Sequence, residues 1–133
     1  MPALDPKLLY LGIPDMDADH ERLVAITNRI SALVENGDFQ QADFAAELKA
    51  LRNYTLDHFA REESYMKRIG YPDLARHKQQ HEKIVDALAA LAAEGTTRGA
   101  KLALSLRLFT QVWLYDHISG DDGEYAKFAR AKS

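Results

Sequence analysis

Residues 41–68, QADFAAELKALRNYTLDHFAREESYMKR, decide the fold. Phe44, Leu48, Leu51, Thr55, His58, Glu62 and Met66 recur at intervals of three and four, so they share one face of a helix. Gly70 and Pro72 end the run. A long helix with one apolar face must bury that face against other elements. Two ionisable side chains, His58 and Glu62, lie on that face and need partners inside the fold.

The same periodicity recurs in three further segments. The first runs from about Ala18 to Glu35, carries Leu23, Val24, Thr27, Ile30 and Val34, and stops at Asn36-Gly37-Asp38. The third runs from about Pro72 to Ala93, carries Leu74, His77, His81, Ile84, Val85, Leu88 and Leu91, and closes at Glu94-Gly95-Thr96-Thr97. The fourth starts near Arg98 and carries Leu102, Leu106, Phe109, Trp113 and His117, until Gly120 and Gly123 loosen the backbone. A tail from Glu124 to Ala131 can add a helical turn or two. Sustained apolar–polar alternation and hairpin turns are absent, so strands are not expected. Long helices joined by short connections predict an all-α, antiparallel up-down-up-down four-helix bundle. Residues 1–17, too rich in proline for a helix, form an N-terminal arm to a single domain spanning 1–133.

Bulk properties exclude several classes of function. The chain has 133 residues, 47% hydrophobic and 28% charged, as expected of an ordinary soluble globule. A net charge of −3 offers no basic stripe for nucleic acid. The chain lacks cysteine, which rules out disulfides, iron–sulfur clusters and thiolate zinc sites. The N-terminus lacks the form of a signal peptide, and no window is apolar enough for a membrane span. The expectation is a cytoplasmic, soluble monomer.

The placement of the histidines carries the chemistry. Residues four apart lie about 40° apart on a helix face. Three helices use that spacing: His58 with Glu62, His77 with His81, and His117 followed by Asp121 and Asp122. The first helix opens on His20, preceded by Asp17 and Asp19. Taken singly, each has an ordinary reading: a hydrogen-bonded core histidine, a solvated glutamate, a polar helix end. Together they do not, because burying five imidazoles and two carboxylates in one small bundle is costly unless they bind a cation. Antiparallel packing brings every candidate into the same half of the bundle. Imidazole and carboxylate without sulfur suit iron, manganese or zinc. Seven ligands exceed one tetrahedral zinc but serve two metals bridged by two carboxylates. Ferritin-type di-iron sites use Glu-x-x-His, which occurs nowhere in this chain.

Four segments then resemble the hemerythrin family: DADH at 17–20, HFAREESYM at 58–66, YPDLARHKQQH at 71–81 and WLYDHISGDD at 113–122. They occur in order and span most of the chain. The resemblance implies two iron ions with an oxo or hydroxo bridge. It assigns His77, His81 and His117 to one iron and His20 and His58 to the other, with Glu62 and one aspartate bridging. A regular helix favours Asp121, on the same face as His117, and puts Asp122 about 140° away. Family spacing selects Asp122, which requires the helix to unwind or bulge, as Gly120 and Gly123 allow. Glu63 lies one step off the His58 face and is the weaker candidate beside Glu62. Asp19 stands where many relatives have glutamine, directly before His20.

The implied function is reversible dioxygen binding at the two-histidine iron, without enzymatic turnover, for storage or delivery to an oxygen-consuming enzyme. Leu23, Val24, Phe59, Trp113, Leu114 and Ile118 are placed to keep that site dry. Tyr54, one turn before His58, is the nearest candidate for a proton donor. Two alternatives remain: a di-iron peroxidase or oxygenase on the same ligands, and an oxygen or redox sensor. A sensor ordinarily needs an output domain, and these 133 residues carry none, which favours the carrier.

Overall fold

A computed structural model describes residues 5–36, 39–94 and 100–132. Among them every regular element is helical: a short 3-10 turn Pro6–Leu9, then α1 (Pro14–Asn36), α2 (Gln41–Ile69), α3 (Leu74–Glu94) and α4 (Ala100–Leu108). A π-helical segment, Phe109–Asp122, extends α4, and α5 (Gly123–Lys132) follows without a break. With α4, the π segment and α5 forming one rod, the architecture is a four-helix bundle. The turns expected at Gly37-Asp38 and Gly95–Thr97, and the start near Arg98, lie outside the described residues.

The first helix begins four residues earlier than periodicity indicates, at Pro14 rather than Ala18. Proline is tolerated in a first turn, where its missing N–H leaves no bond unmade. The arm is ordered by the same end of α1. The Asp17 carboxylate accepts hydrogen bonds from the backbone N–H of Leu11 (2.7 Å) and Gly12 (3.1 Å). Gly12 has φ +82°, a left-handed turn that favours glycine. Leu9 is thereby buried against the bundle.

Gly70 ends α2 in the left-handed conformation, φ +74°. Its N–H bonds to the Lys67 carbonyl at 3.1 Å, and the Tyr71 N–H reaches back to Met66 at 2.9 Å, which satisfies carbonyls the helix end leaves free. The Asp73 carbonyl accepts the first bond of α3, from His77, at 3.0 Å. This tight corner sets His77 and His81 opposite His58 and Glu62.

Two apolar clusters flank the polar layer. The larger gathers Ile30, Leu51, Ile84, Leu102 and Leu106 from all four helices. Each such side chain contributes about 1.5–3 kcal/mol through burial. The smaller, Leu11, Met16, Met66, Tyr125 and Ala126, closes the other end beneath α5. Polar residues between two dry clusters are cut off from water, which strengthens every electrostatic interaction among them.

Candidate metal centre

All seven residues expected at the site converge. Exposure is 1% at His20, 0% at His58, 4% at His77, 3% at His81, 5% at His117, 0% at Glu62 and 1% at Asp122. They form two overlapping sets whose ligand atoms all lie within 4.8 Å of one another. One set is Glu62, His77, His81, His117 and Asp122; the other is His20, His58, Glu62 and Asp122. The two carboxylates common to both sets are the residues expected to bridge.

Asp122 reaches the centre because the helix widens, not because it unwinds. The i→i+5 bonding of a π-helix takes more residues per turn and brings residues five apart toward one face, whereas a regular α-helix separates them by about 140°. His117 Nε2 lies 3.2 Å from Asp122 Oδ1. The widening begins at Phe109, well before the glycines, and Gly123 is helical with φ −57°. A Cβ at Gly120 or Gly123 would meet open space, so neither glycine causes the bulge by steric need. Asp121 turns away and accepts a hydrogen bond from His117 Nδ1 at 2.9 Å. Asp17, occupied by the arm, takes no part.

The donor set fits cations. Both Asp122 oxygens and His117 Nε2 are buried without a hydrogen-bond partner. The Asp122 oxygens stand 2.9 Å from His77 Nε2 and 3.2 Å from His20 Nε2, yet neither approach is aligned as a hydrogen bond. Their lone pairs aim at a common space. Oxygen and nitrogen donors in that number suit a pair of divalent first-row metals.

Without cations the cluster holds protons instead. Burial opposes charging His20 and His77, but contacts with Asp122 and Glu62 outweigh it and lift both to about 9. Burial is likewise overcome at His117, where Asp122 and Asp121 raise it to about 10. His58 also moves up, burial being outweighed by Glu62 and Asp19. Burial favours the neutral acid at Glu62, yet His58, His20 and His77 hold it well below the usual carboxylate range. At Asp122, burial and the charge of Glu62 push upward, and His117 and His20 prevail to keep it low.

An outer ring of carboxylates orients the imidazoles. His58 Nδ1 donates to Asp19 Oδ2 at 2.8 Å, and His81 Nδ1 donates to Glu63 Oε2 at 2.7 Å. With His117 on Asp121, three of the five rings have their outer nitrogen on a carboxylate, which turns Nε2 toward the centre, where a bound cation would displace its proton. Tyr54 does not face the site as a proton donor; its hydroxyl donates to Asp19 Oδ1 at 2.8 Å. The residue missed from sequence is Tyr125, fully buried, whose hydroxyl donates to Glu62 Oε2 at 2.7 Å. Its three-residue spacing from Asp122 would have flagged it only if α5 were known to continue the same rod.

Beside His58, His117 and Asp122 lies a small cavity of about 20 Å³. Leu23, Phe59, Trp113, Leu114 and Ile118 line it, as expected of the dry surround; Val24 does not. Thr55 is its only hydroxyl-bearing lining residue.

A bundle with two buried histidine–carboxylate sets sharing two carboxylates has the donor chemistry of a metal-binding protein. The Hemerythrin HHE cation binding domain family matches residues 11–129. A bacteriohemerythrin of Stenotrophomonas maltophilia (strain R551-3) is 32% identical, over 92% of this chain and 78% of that protein. A bacteriohemerythrin of Methylococcus capsulatus is 29% identical over 82% of each chain. Another, of Clostridium acetobutylicum, is 29% identical over 86% of this chain and 92% of its own. The chain belongs to the hemerythrin family. Among the described residues, no helix is long and apolar enough to cross a membrane.

Proposed function

We propose that this protein binds dioxygen reversibly at a di-iron centre, for oxygen storage or for delivery to an oxygen-consuming enzyme. The ligands are His77, His81 and His117 for one iron, His20 and His58 for the other, and Glu62 and Asp122 between them. The observation that carries the reading is the uneven pair of ligand sets, three histidines against two, around shared carboxylates. The two-histidine side has one donor fewer and therefore room for a diatomic ligand. Bound iron supplies the two electrons that dioxygen binding requires.

The chain's own residues support binding over turnover. A cavity of about 20 Å³ admits one small molecule and no organic substrate. Its lining is apolar apart from Thr55 and the ligands, so no acidic side chain stands ready to protonate and cleave an O–O bond. Tyr54 and Tyr125 both spend their hydroxyl protons on carboxylates, Asp19 and Glu62.

The test is the visible spectrum of the dithionite-reduced, iron-loaded protein as air is admitted and removed. A band that appears and vanishes over repeated cycles supports the carrier. Conversion to a ferric form within seconds, or an iron content far from two per chain, overturns it.

A further inference from the structure

Asp19 makes more hydrogen bonds than any other carboxylate around the centre. Its Oδ2 accepts from His58 Nδ1 at 2.8 Å and Arg61 Nε at 2.9 Å. Its Oδ1 accepts from the Tyr54 hydroxyl at 2.8 Å and Arg61 Nη2 at 2.9 Å. The two arginine bonds form a bidentate fork, which holds both charge and orientation. Asp19 is 7% exposed, while the Arg61 side chain is 47% exposed and lies over the Tyr54 ring. The other two outer carboxylates differ. Among the described residues, neither Glu63 nor Asp121 has a lysine or arginine within ion-pair distance. The single arginine-neutralised carboxylate therefore stands behind a histidine of the two-histidine set.

We infer that Asp19 and Arg61 act as an opposed charge pair that sets the reduction potential of the centre through His58. The inference rests on the di-iron reading above. A carboxylate on Nδ1–H shares the proton and gives the imidazole anionic character, making Nε2 a stronger donor. A stronger donor favours the ferric state and lowers the potential. Arg61 draws charge from the same carboxylate and moderates the effect. The two residues are positioning residues: neither touches the reacting atoms, and each acts through His58.

The pair predicts shifts of opposite sign. Asp19→Asn removes the anion and leaves Arg61 beside His58, so the potential rises. Arg61→Gln removes the cation and leaves the anion unmoderated, so the potential falls. Each shift should change the ratio of oxidised to reduced protein at a fixed potential by about tenfold, or about 59 mV for one electron. Arg61→Lys restores the charge without the fork and should return most of the way to the wild-type potential. A purely structural role predicts otherwise, since loosening His58 from either side would move both variants in the same direction.

The experiment is spectroelectrochemical titration of the four iron-loaded proteins, with iron content measured on the same samples. Opposite shifts, with recovery in Arg61→Lys, support the assignment. Shifts of the same sign, or potentials that stay within twofold of wild type on that ratio, overturn it. If Asp19→Asn does not fold, the Arg61→Gln and Arg61→Lys pair still decides by the sign of the first and the recovery of the second. Failure of the wild type to take up two irons sinks the di-iron reading itself, whereas two irons with unmoved potentials sink only this inference.

Discussion

His117 and Asp122 lie five residues apart with Nε2 and Oδ1 at 3.2 Å, a contact that the π-helical segment makes and a regular α-helix forbids. The spacing also sends Asp121 to the opposite nitrogen of the same imidazole. Two adjacent aspartates thus serve one histidine from its two sides.

Alanine at the two positions should give different results. Asp122→Ala removes a carboxylate shared by both sets and should leave fewer than two irons per chain. Asp121→Ala should keep the pair while weakening iron affinity by about 10–100-fold, the usual effect of losing an outer hydrogen-bond partner. Iron content after dialysis against a graded chelator distinguishes them; equal losses would mean Asp121 is itself a ligand.

Tyr125→Phe deletes the hydroxyl that donates to Glu62 inside a dry cluster. A hydrogen bond to a buried charged group is worth about 1.5–3 kcal/mol. Urea unfolding of the iron-free protein should show a loss in that range. No loss would mean Glu62 Oε2 finds its charge balanced by the histidines alone.

Without iron, stability should depend on pH through the raised histidines. His20 and His77 stand near 9 and His117 near 10, against an unfolded value of about 6.5. Groups with raised folded pKa bind protons more tightly in the native state, so their contribution is complete below about pH 6.5 and is lost as pH rises toward 9–10. Chemical denaturation of the iron-free protein between pH 6 and 10 should therefore show falling stability across that window. Iron loading should also release protons at pH 7, measurable in weakly buffered solution, because metal displaces them from the same nitrogens.

Leu114 is 7% exposed and lines the small cavity. Leu114→Ala enlarges that space and should cost about 2–5 kcal/mol in stability. Room beside polar ligand atoms then admits water, and the oxygenated form should decay to the ferric form several-fold faster. An unchanged decay rate, followed by visible absorbance, would mean the cavity does not protect the ligand position.

Much of the architecture was legible in periodicity, because a helix reports its buried face every three to four residues and Gly70 and Pro72 mark a stop in the sequence itself. Periodicity places the start of α1 too late because Pro14 reads as a breaker, although proline suits a first turn. The choice between Asp121 and Asp122 was not open to periodicity, since no residue type announces i→i+5 bonding. Of the two routes that Gly120 and Gly123 allow, unwinding and a bulge, the backbone takes the bulge and stays helical.

Spacing within single segments is enough to place the helices and to put His58 with Glu62, and His77 with His81, on common faces, whereas Asp122 is selected only by the family pattern. What surrounds these side chains depends on tertiary packing. Tyr125 reaches Glu62 across 63 residues, and Asp19 meets His58 across 39. Such contacts are properties of how the helices are rotated and offset against one another, and local pattern carries no record of that packing.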